Sequence, residues 1–196
     1  MEKCTKSWDP SWEKVFSSRD WGRYPPEDLI RFTSRNFCRA AVRANIRFLD
    51  AGSGTGACSW YLAREGFSVF GVDGSPTAIR KCVRRFREEG LEGFFLQGDL
   101  VELPFASETF DAVIDVCSVS QNSYGQIKRI VREIRRVLKP GGKFFSMLFR
   151  DGCWGENTGT EIEPGTFTEI PEGPFKDLGV THFTKENEIP EIFRGF

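Results

Sequence analysis

The chain has 196 residues, enough for one domain with a sizeable buried core and a squeeze for two. Apolar residues make up 39% and charged residues 28%, the balance of an ordinary globular protein; the net charge of −1 gives no whole-molecule attraction to nucleic acid or an anionic membrane. No apolar run approaches the roughly 18–20 residues needed to cross a bilayer, and the polar start Met1-Glu2-Lys3-Cys4 lacks the apolar stretch of a signal peptide.

Residues 1–45 read as an aromatic-rich helical arm or lid punctuated by Trp8, Trp12, Trp21 and Tyr24. Pro25-Pro26 predicts a helix start, Glu27-Asp28 suit its positive end, and Leu29, Ile30, Phe32, Phe37, Ala40 and Ala41 carry an apolar stripe to about Val42. A buried strand over 46–51 stops at glycines, a helix follows over 57–64 and ends at Gly66, and a second strand over 68–72 closes at Asp73-Gly74. Ser75 caps the next helix with Pro76 at its first position, and Gly90 stops it. Strands at 94–97 and 112–116 precede the clearest helix, 124–138, where Ile127, Ile130, Val131, Ile134, Val137 and Leu138 recur at three- and four-residue spacing. Pro140-Gly141-Gly142 then leads to a fifth strand over 143–149.

This alternation predicts an α/β fold: a Rossmann-like three-layer sandwich with a mostly parallel central sheet of at least five strands and helices on both faces. Residues 46–149 form the cofactor-binding core of a single domain, and 150–196 its substrate-side loop, hairpin and final helix. From Asp151 to Phe183 there are seven acids and Lys176 as the only base. A hairpin over 160–170 is predicted to cover part of the site, and a helix capped by Thr184 over 184–193.

The turn Asp50-Ala51-Gly52-Ser53-Gly54-Thr55-Gly56 follows a buried strand and precedes a helix, where glycines let a ligand approach the backbone at the carboxyl ends of parallel strands. Gly52, Gly54 and Ala57 also satisfy the looser dinucleotide pattern, so the turn alone leaves a nicotinamide-type cofactor open. Asp73 ends the second strand, where an acid accepts hydrogen bonds from ribose hydroxyls, and Asp99-Leu100 after the third offers an acid and an apolar cover for adenine. Six widely spaced cysteines (Cys4, Cys38, Cys58, Cys82, Cys117, Cys153) and one histidine point to neither a disulfide framework nor a metal site, and free thiols fit a reducing cytoplasm.

Together the motifs become specific. Phe48 to Gly56 resembles the first motif of class I S-adenosylmethionine-dependent methyltransferases, Val69-Phe70-Gly71-Val72-Asp73-Gly74-Ser75 their acidic second-strand motif, and Gln97-Gly98-Asp99-Leu100 with Leu103-Pro104-Phe105 their third. Phe110-Asp111-Ala112-Val113-Ile114-Asp115 is similar to the fourth, and Arg136-Val137-Leu138-Lys139-Pro140-Gly141-Gly142 to the approach to their fifth strand. The nearest flavour is the group that methylates small molecules. The resemblance implies S-adenosyl-L-methionine as cofactor, released as S-adenosyl-L-homocysteine. Asp50, Ala51, Gly52, Ser53, Gly54 and Gly56 would cradle its methionine part; Asp73, with Gly74 and Ser75, its ribose; Asp99 and Leu100 its adenine. Asp115 and Cys117 would line it near the sulfonium, residues 118–121 would lie closer to the acceptor, and Tyr24 or Arg23 would reach the carboxylate.

In-line alignment of an activated methyl asks little of side chains, so the catalytic residue is unassigned. His182 is a weak candidate base, with Asp151 and Glu156 behind it. The basic stretches 80–89 (five bases, two acids) and 128–139 (six bases, one acid) read as solvated helix faces, and the acidic 151–183 segment disfavours a nucleic-acid substrate. The family's sheet ends in two further strands that this sequence does not reach; the fifth strand is then an edge, expected to be covered by the hairpin or by a second copy in a homodimer. Rival readings are a nicotinamide-dependent oxidoreductase and a cofactor-binding domain without turnover.

Overall fold

Alternating strands and helices build the core in the computed structural model, which describes residues 7–196; Met1 to Lys6, and Cys4 with them, lie outside the described residues. Helices α1 (Ser11–Ser18) and α2 (Glu27–Phe37) precede β1 (Arg47–Ala51), α3 (Ala57–Arg64), β2 (Ser68–Asp73), α4 (Pro76–Glu88), β3 (Phe94–Gln97), β4 (Phe110–Val116), α5 (Tyr124–Val137) and β5 (Leu138–Met147). All five strands are parallel, in the order β3-β2-β1-β4-β5. Strand order reverses beside β1, so the loops after β1 and β4 diverge and leave a crevice at their carboxyl ends.

Side chains of β1 alternate across the sheet as a strand's period of two requires. Phe48 packs with Leu29, Leu62 and Phe67 on the side of α2 and α3, while Leu49 joins Val113, Ile127, Ile130 and Ile134 under α5. Each such fully buried side chain contributes about 1.5–3 kcal/mol. Arg136 of α5 donates to the carbonyls of Leu103 and Phe105 at 2.9 and 2.7 Å, and Glu133 accepts from Leu103 N at 3.0 Å, fastening the loop between β3 and β4.

A second sheet holds β6 (Thr160–Glu163), β7 (Thr166–Thr168) and β8 (Thr181–His182), antiparallel and in that order, over Phe167, Ile170, Phe175 and Phe183. Glu163 docks this sheet on the start of α5 by accepting from Tyr124 N, where a carboxylate suits the helix's positive end. The last helix, α6 (Ile189–Ile192), completes the chain's regular structure.

Four expectations need correction. The helix predicted to run to Val42 ends at Phe37, because Ala41 and Val42 are exposed and a 3-10 turn at Arg43–Asn45 leads into β1. Strand β5 begins at Leu138 and absorbs Pro140-Gly141-Gly142 in a register shift against Phe110 and Ala112, instead of starting after it. The predicted helix over 184–193 is a 3-10 turn, Glu186–Glu188, followed by the short α6; Lys185 precedes the turn, and the Thr184 hydroxyl caps nothing. The hairpin does not pair with the edge of β5. Among the described residues that strand pairs only with β4; the chain beyond it meets the 184 segment through an Arg150–Thr184 bridge, and Phe193 and Phe196 stack on Phe144 at 5.8 and 5.3 Å.

Candidate functional site

The crevice widens into a cavity of about 520 Å³, floored by the turns after β1, β2 and β4 and roofed by the arm and the 174–178 segment. Gly52 in the first turn has φ +79°, and a side chain there would collide with Ser118 of the β4 turn, whose hydroxyl donates to the Gly52 carbonyl at 3.1 Å. Only glycine lets the two turns approach this closely. The Val72 carbonyl accepts from Gly52 N and Ser53 N at 2.8 and 3.0 Å, tying the turn to β2.

Three acids predicted to touch the cofactor brace turns, in different degrees. Asp50 lines the cavity yet accepts from Ser59 N and Ser59 Oγ at 3.1 and 2.6 Å; burial, with Asp73 nearby, pushes its carboxyl up to about 6. Asp73, also lining, accepts from Gly54 N and Ser75 N, both at 2.8 Å, and burial lifts it to about 6 against those bonds. Asp115 does not line the cavity. It is wholly buried, accepts from Ser118 N, Val119 N and Ser146 Oγ at 2.8, 3.0 and 2.7 Å, and burial raises it to about 7. Its place at the wall is taken by Val116 and Cys117; Cys117 holds a left-handed φ of 66°, and burial pushes its thiol up to about 12.

The arm covers the adenosine side predicted for Asp73, Asp99 and Leu100. Ser7 donates to Asp99 through both its backbone N–H and its hydroxyl, so Asp99 faces the arm while Leu100 lines the cavity. Trp8 lies so close over Gly74 that a side chain at position 74 would strike its indole. Glu13 accepts from Ser75 Oγ, Thr77 N and Thr77 Oγ1 at the start of α4, and Asp9 accepts from Val180 N at 3.0 Å.

Ala51, Gly56 and Ser75 also stand off the cavity wall. Ala51 is core, and Ser75 is held by Glu13 and by Ala78 N at 3.0 Å. A Cβ on Gly56, with φ +85°, would fall 2.5 Å from Cys82 Sγ, so that glycine serves the contact between α3 and α4. Gly52, Ser53, Gly54, Gly74 and Tyr24 do line the cavity; Arg23 instead lies 4.0 Å from Glu89. His182 is fully buried outside it, between Thr166 Oγ1 at 2.7 Å and Glu188 Oε2 at 3.1 Å, and Asp151 and Glu156 are likewise outside.

Sequence reasoning did not single out Asn122, Phe149, Phe175 or Leu178, which wall the far end. Four buried side-chain polar atoms among the described residues lack a partner, and three of them, Trp8 Nε1, Ser53 Oγ and Asn122 Oδ1, belong to cavity-lining residues. Buried polar groups are nearly always paired, so three together mark a place a polar ligand completes.

A parallel sheet with a glycine cradle, an acid after β2 and a cavity at the strand reversal defines a nucleoside-cofactor-binding α/β protein. Residues 48–142 match the family described as methyltransferase domain. An uncharacterized methyltransferase of Bacillus subtilis is 37% identical over 113 residues, 58% of this chain and 47% of that protein. A fatty-acid O-methyltransferase of Mycolicibacterium smegmatis is 36% identical over 123 residues, 60% of this chain and 43% of that protein. The chain thus spans about half the length of the curated relatives it matches. A solved S-adenosylmethionine-dependent methyltransferase structure from Methanosarcina mazei shares the fold with a TM-score of 0.68 at 24% identity, over 80% of this chain and 81% of that one.

The cavity suits S-adenosylmethionine, the cofactor that the sequence motifs imply. The turn at Gly52 leaves room for a backbone approach, Ser53 Oγ and Trp8 Nε1 await polar partners, and the lining carries Asp50 and Asp73 against a cationic sulfonium.

Proposed function

We propose that the protein transfers a methyl group from S-adenosylmethionine to a small-molecule acceptor by in-line displacement. The carrying observation is the set of unpaired polar atoms around the glycine cradle at the reversal of strand order. When bound, S-adenosylmethionine supplies an activated methyl on a sulfonium. The chain's part is to hold, align and dry the reacting groups: the 52–54 turn and Asp73 hold the cofactor, Trp8 and Leu100 flank it, and Phe149, Phe175 and Leu178 exclude water at the acceptor end. The relative whose name gives a fatty acid as acceptor supports a small-molecule substrate.

The five described cysteines are unpaired, which supports a reducing, cytoplasmic setting, and no helix among the described residues is long and apolar enough to cross a membrane. The open edge of β5 supports a homodimer, and the acidic 151–183 segment disfavours a nucleic-acid acceptor. Calorimetry with S-adenosylhomocysteine tests the proposal: the intact protein gives saturable heat and Asp73→Ala loses at least about ten-fold in affinity. Binding of NADH in place of S-adenosylhomocysteine would transfer the reading to a nicotinamide-dependent oxidoreductase.

A further inference from the structure

The strand order β3-β2-β1-β4-β5 lays the cavity wall out from one end to the other. Gly98 and Leu100 follow β3, Asp73 and Gly74 stand at the end of β2, and the 52–55 turn follows β1. Val116, Cys117 and Ser118 come from the end of β4, and Phe149 from beyond β5. A nucleoside cofactor belongs to the β3-β2-β1 end, with the glycine turn and Asp73. The β4-β5 end, closed above by Pro174, Phe175 and Leu178, is left for the acceptor.

The two ends differ in charge. Asp50 and Asp73 stand at the cofactor end, whereas the wall supplied after β4, after β5 and by residues 174–178 holds no charged side chain. Asp9, where the arm meets the roof, accepts from Ser11 N through Oδ1 and from Val180 N through Oδ2. An apolar group gains from burial against Phe149, Phe175 and Leu178, while a hydrated one sheds its water against hydrocarbon.

Phe175 closes this end. It is the last residue of the 3-10 turn Gly173–Phe175, which Gly173 enters with φ +75°. Its side chain is 4% exposed and lines the cavity, yet it also belongs to the core under the second sheet. The ring lies edge-on to Phe149 at 4.6 Å and to Phe183 at 5.0 Å, and Ile170 joins the same cluster. Phe183 and Ile170 do not line the cavity. The Phe175 ring therefore stands between the acceptor end and the apolar interior behind it.

From this layout, and resting on the methyl-transfer reading above, we infer that the acceptor carries an apolar body next to its reacting atom, and that Phe175 sets the greatest length that fits. The body seats among Cys117, Phe149 and Leu178 and stops at the Phe175 ring. Selection acts on this body and leaves the reacting atom, oxygen or nitrogen, open. Phe175 is thus a specificity-determining residue that touches the acceptor and not the cofactor.

The test titrates the full chain, with S-adenosylhomocysteine bound, with straight-chain primary alcohols of rising length, so that the head group stays constant. Expected is an affinity that rises about four-fold with each added methylene and then levels off at a definite length. Diols with the second hydroxyl at the far end bind at least about ten-fold more weakly than the alcohols of equal length. Phe175→Ala moves the limit to chains about two to four carbons longer and leaves S-adenosylhomocysteine affinity within about two-fold. Should that variant fail to fold, Phe175→Leu keeps the interior apolar and moves the limit by about one or two carbons. Affinity independent of chain length, diols binding as tightly as alcohols, or a limit unmoved in the folded variant would overturn the inference. So would a variant that weakens S-adenosylhomocysteine as much as it changes the alcohols. Failure of the native chain to bind S-adenosylhomocysteine would instead overturn the methyl-transfer reading.

Discussion

Stability should fall as pH rises across neutrality, and Asp115 sets the largest single share of the slope. Its carboxyl is raised from 3.8 to about 7 by burial between β4 and the turn it braces, so the folded chain holds this proton more tightly than the unfolded one. A shift of about 3 units corresponds to about 4 kcal/mol, present in full below the unfolded value and lost as pH rises through the folded one. Of this, about 2–3 kcal/mol falls between about pH 5 and about pH 8. Asp50 and Asp73, each raised to about 6, act in the same direction. The lowered groups Glu13, Asp111 and Glu133 work oppositely, but their window lies below the ordinary carboxylate range and is passed by about pH 5. Asp115→Asn keeps an oxygen for Ser118 N and Val119 N and offers an amide donor to Ser146 Oγ, so it folds without the titrating group. Urea unfolding followed by far-ultraviolet circular dichroism at the two pH values is the assay. Equal stability of the native sequence at both, or an Asp115→Asn variant with the full slope, would refute the reasoning.

Three further outcomes follow from single contacts. Gly56→Ala places a methyl against Cys82 Sγ at a left-handed φ and should cost about 1–3 kcal/mol in thermal unfolding; adding Cys82→Ala restores the share due to the clash but not the backbone strain. Glu13→Ala frees Ser75 and Thr77 and should speed limited proteolysis of the arm several-fold, while the global unfolding free energy shifts by about 1 kcal/mol. His182→Ala leaves a void and removes one of two partners from Thr166 Oγ1, which keeps Glu163, and from Glu188 Oε2, which keeps Lys185 N, lowering stability by about 2–4 kcal/mol, with S-adenosylhomocysteine affinity retained in calorimetry. A His182→Ala protein of native stability would contradict its structural role.

The core was legible because β1 and β4 are covered on both faces and must be continuously apolar, while glycine and proline punctuate their ends. The spans Ala57–Arg64 and Phe94–Gln97 come out as predicted for that reason. The arm was expected to be helical, but α1 had no legible bounds because it buries only Val15 and Phe16 and stands on contacts with α4 far downstream. Asp73, Asp99 and Asp115 look alike in sequence, each an acid at a strand's end. What separates them is direction: one meets the glycine turn, one the arm and one the interior. Asn122 carries no local signal either, since its unpaired oxygen matters only once the turn has consumed its nitrogen.

The arm's place in the chain has a consequence for assembly. Ser75, Asp99 and Val180, which bind it, lie 62, 92 and 171 positions from their partners Glu13, Ser7 and Asp9. The 92- and 171-residue separations exceed the 64 positions between Phe48 and Ala112 in the sheet, so the sheet and its α-helices are expected to form before the arm settles. The arm is therefore the last piece to dock and the first to leave, a low-stability unit laid over a finished scaffold. Emptying and refilling the cavity then requires only that this final step run backwards, leaving the five-stranded sheet intact.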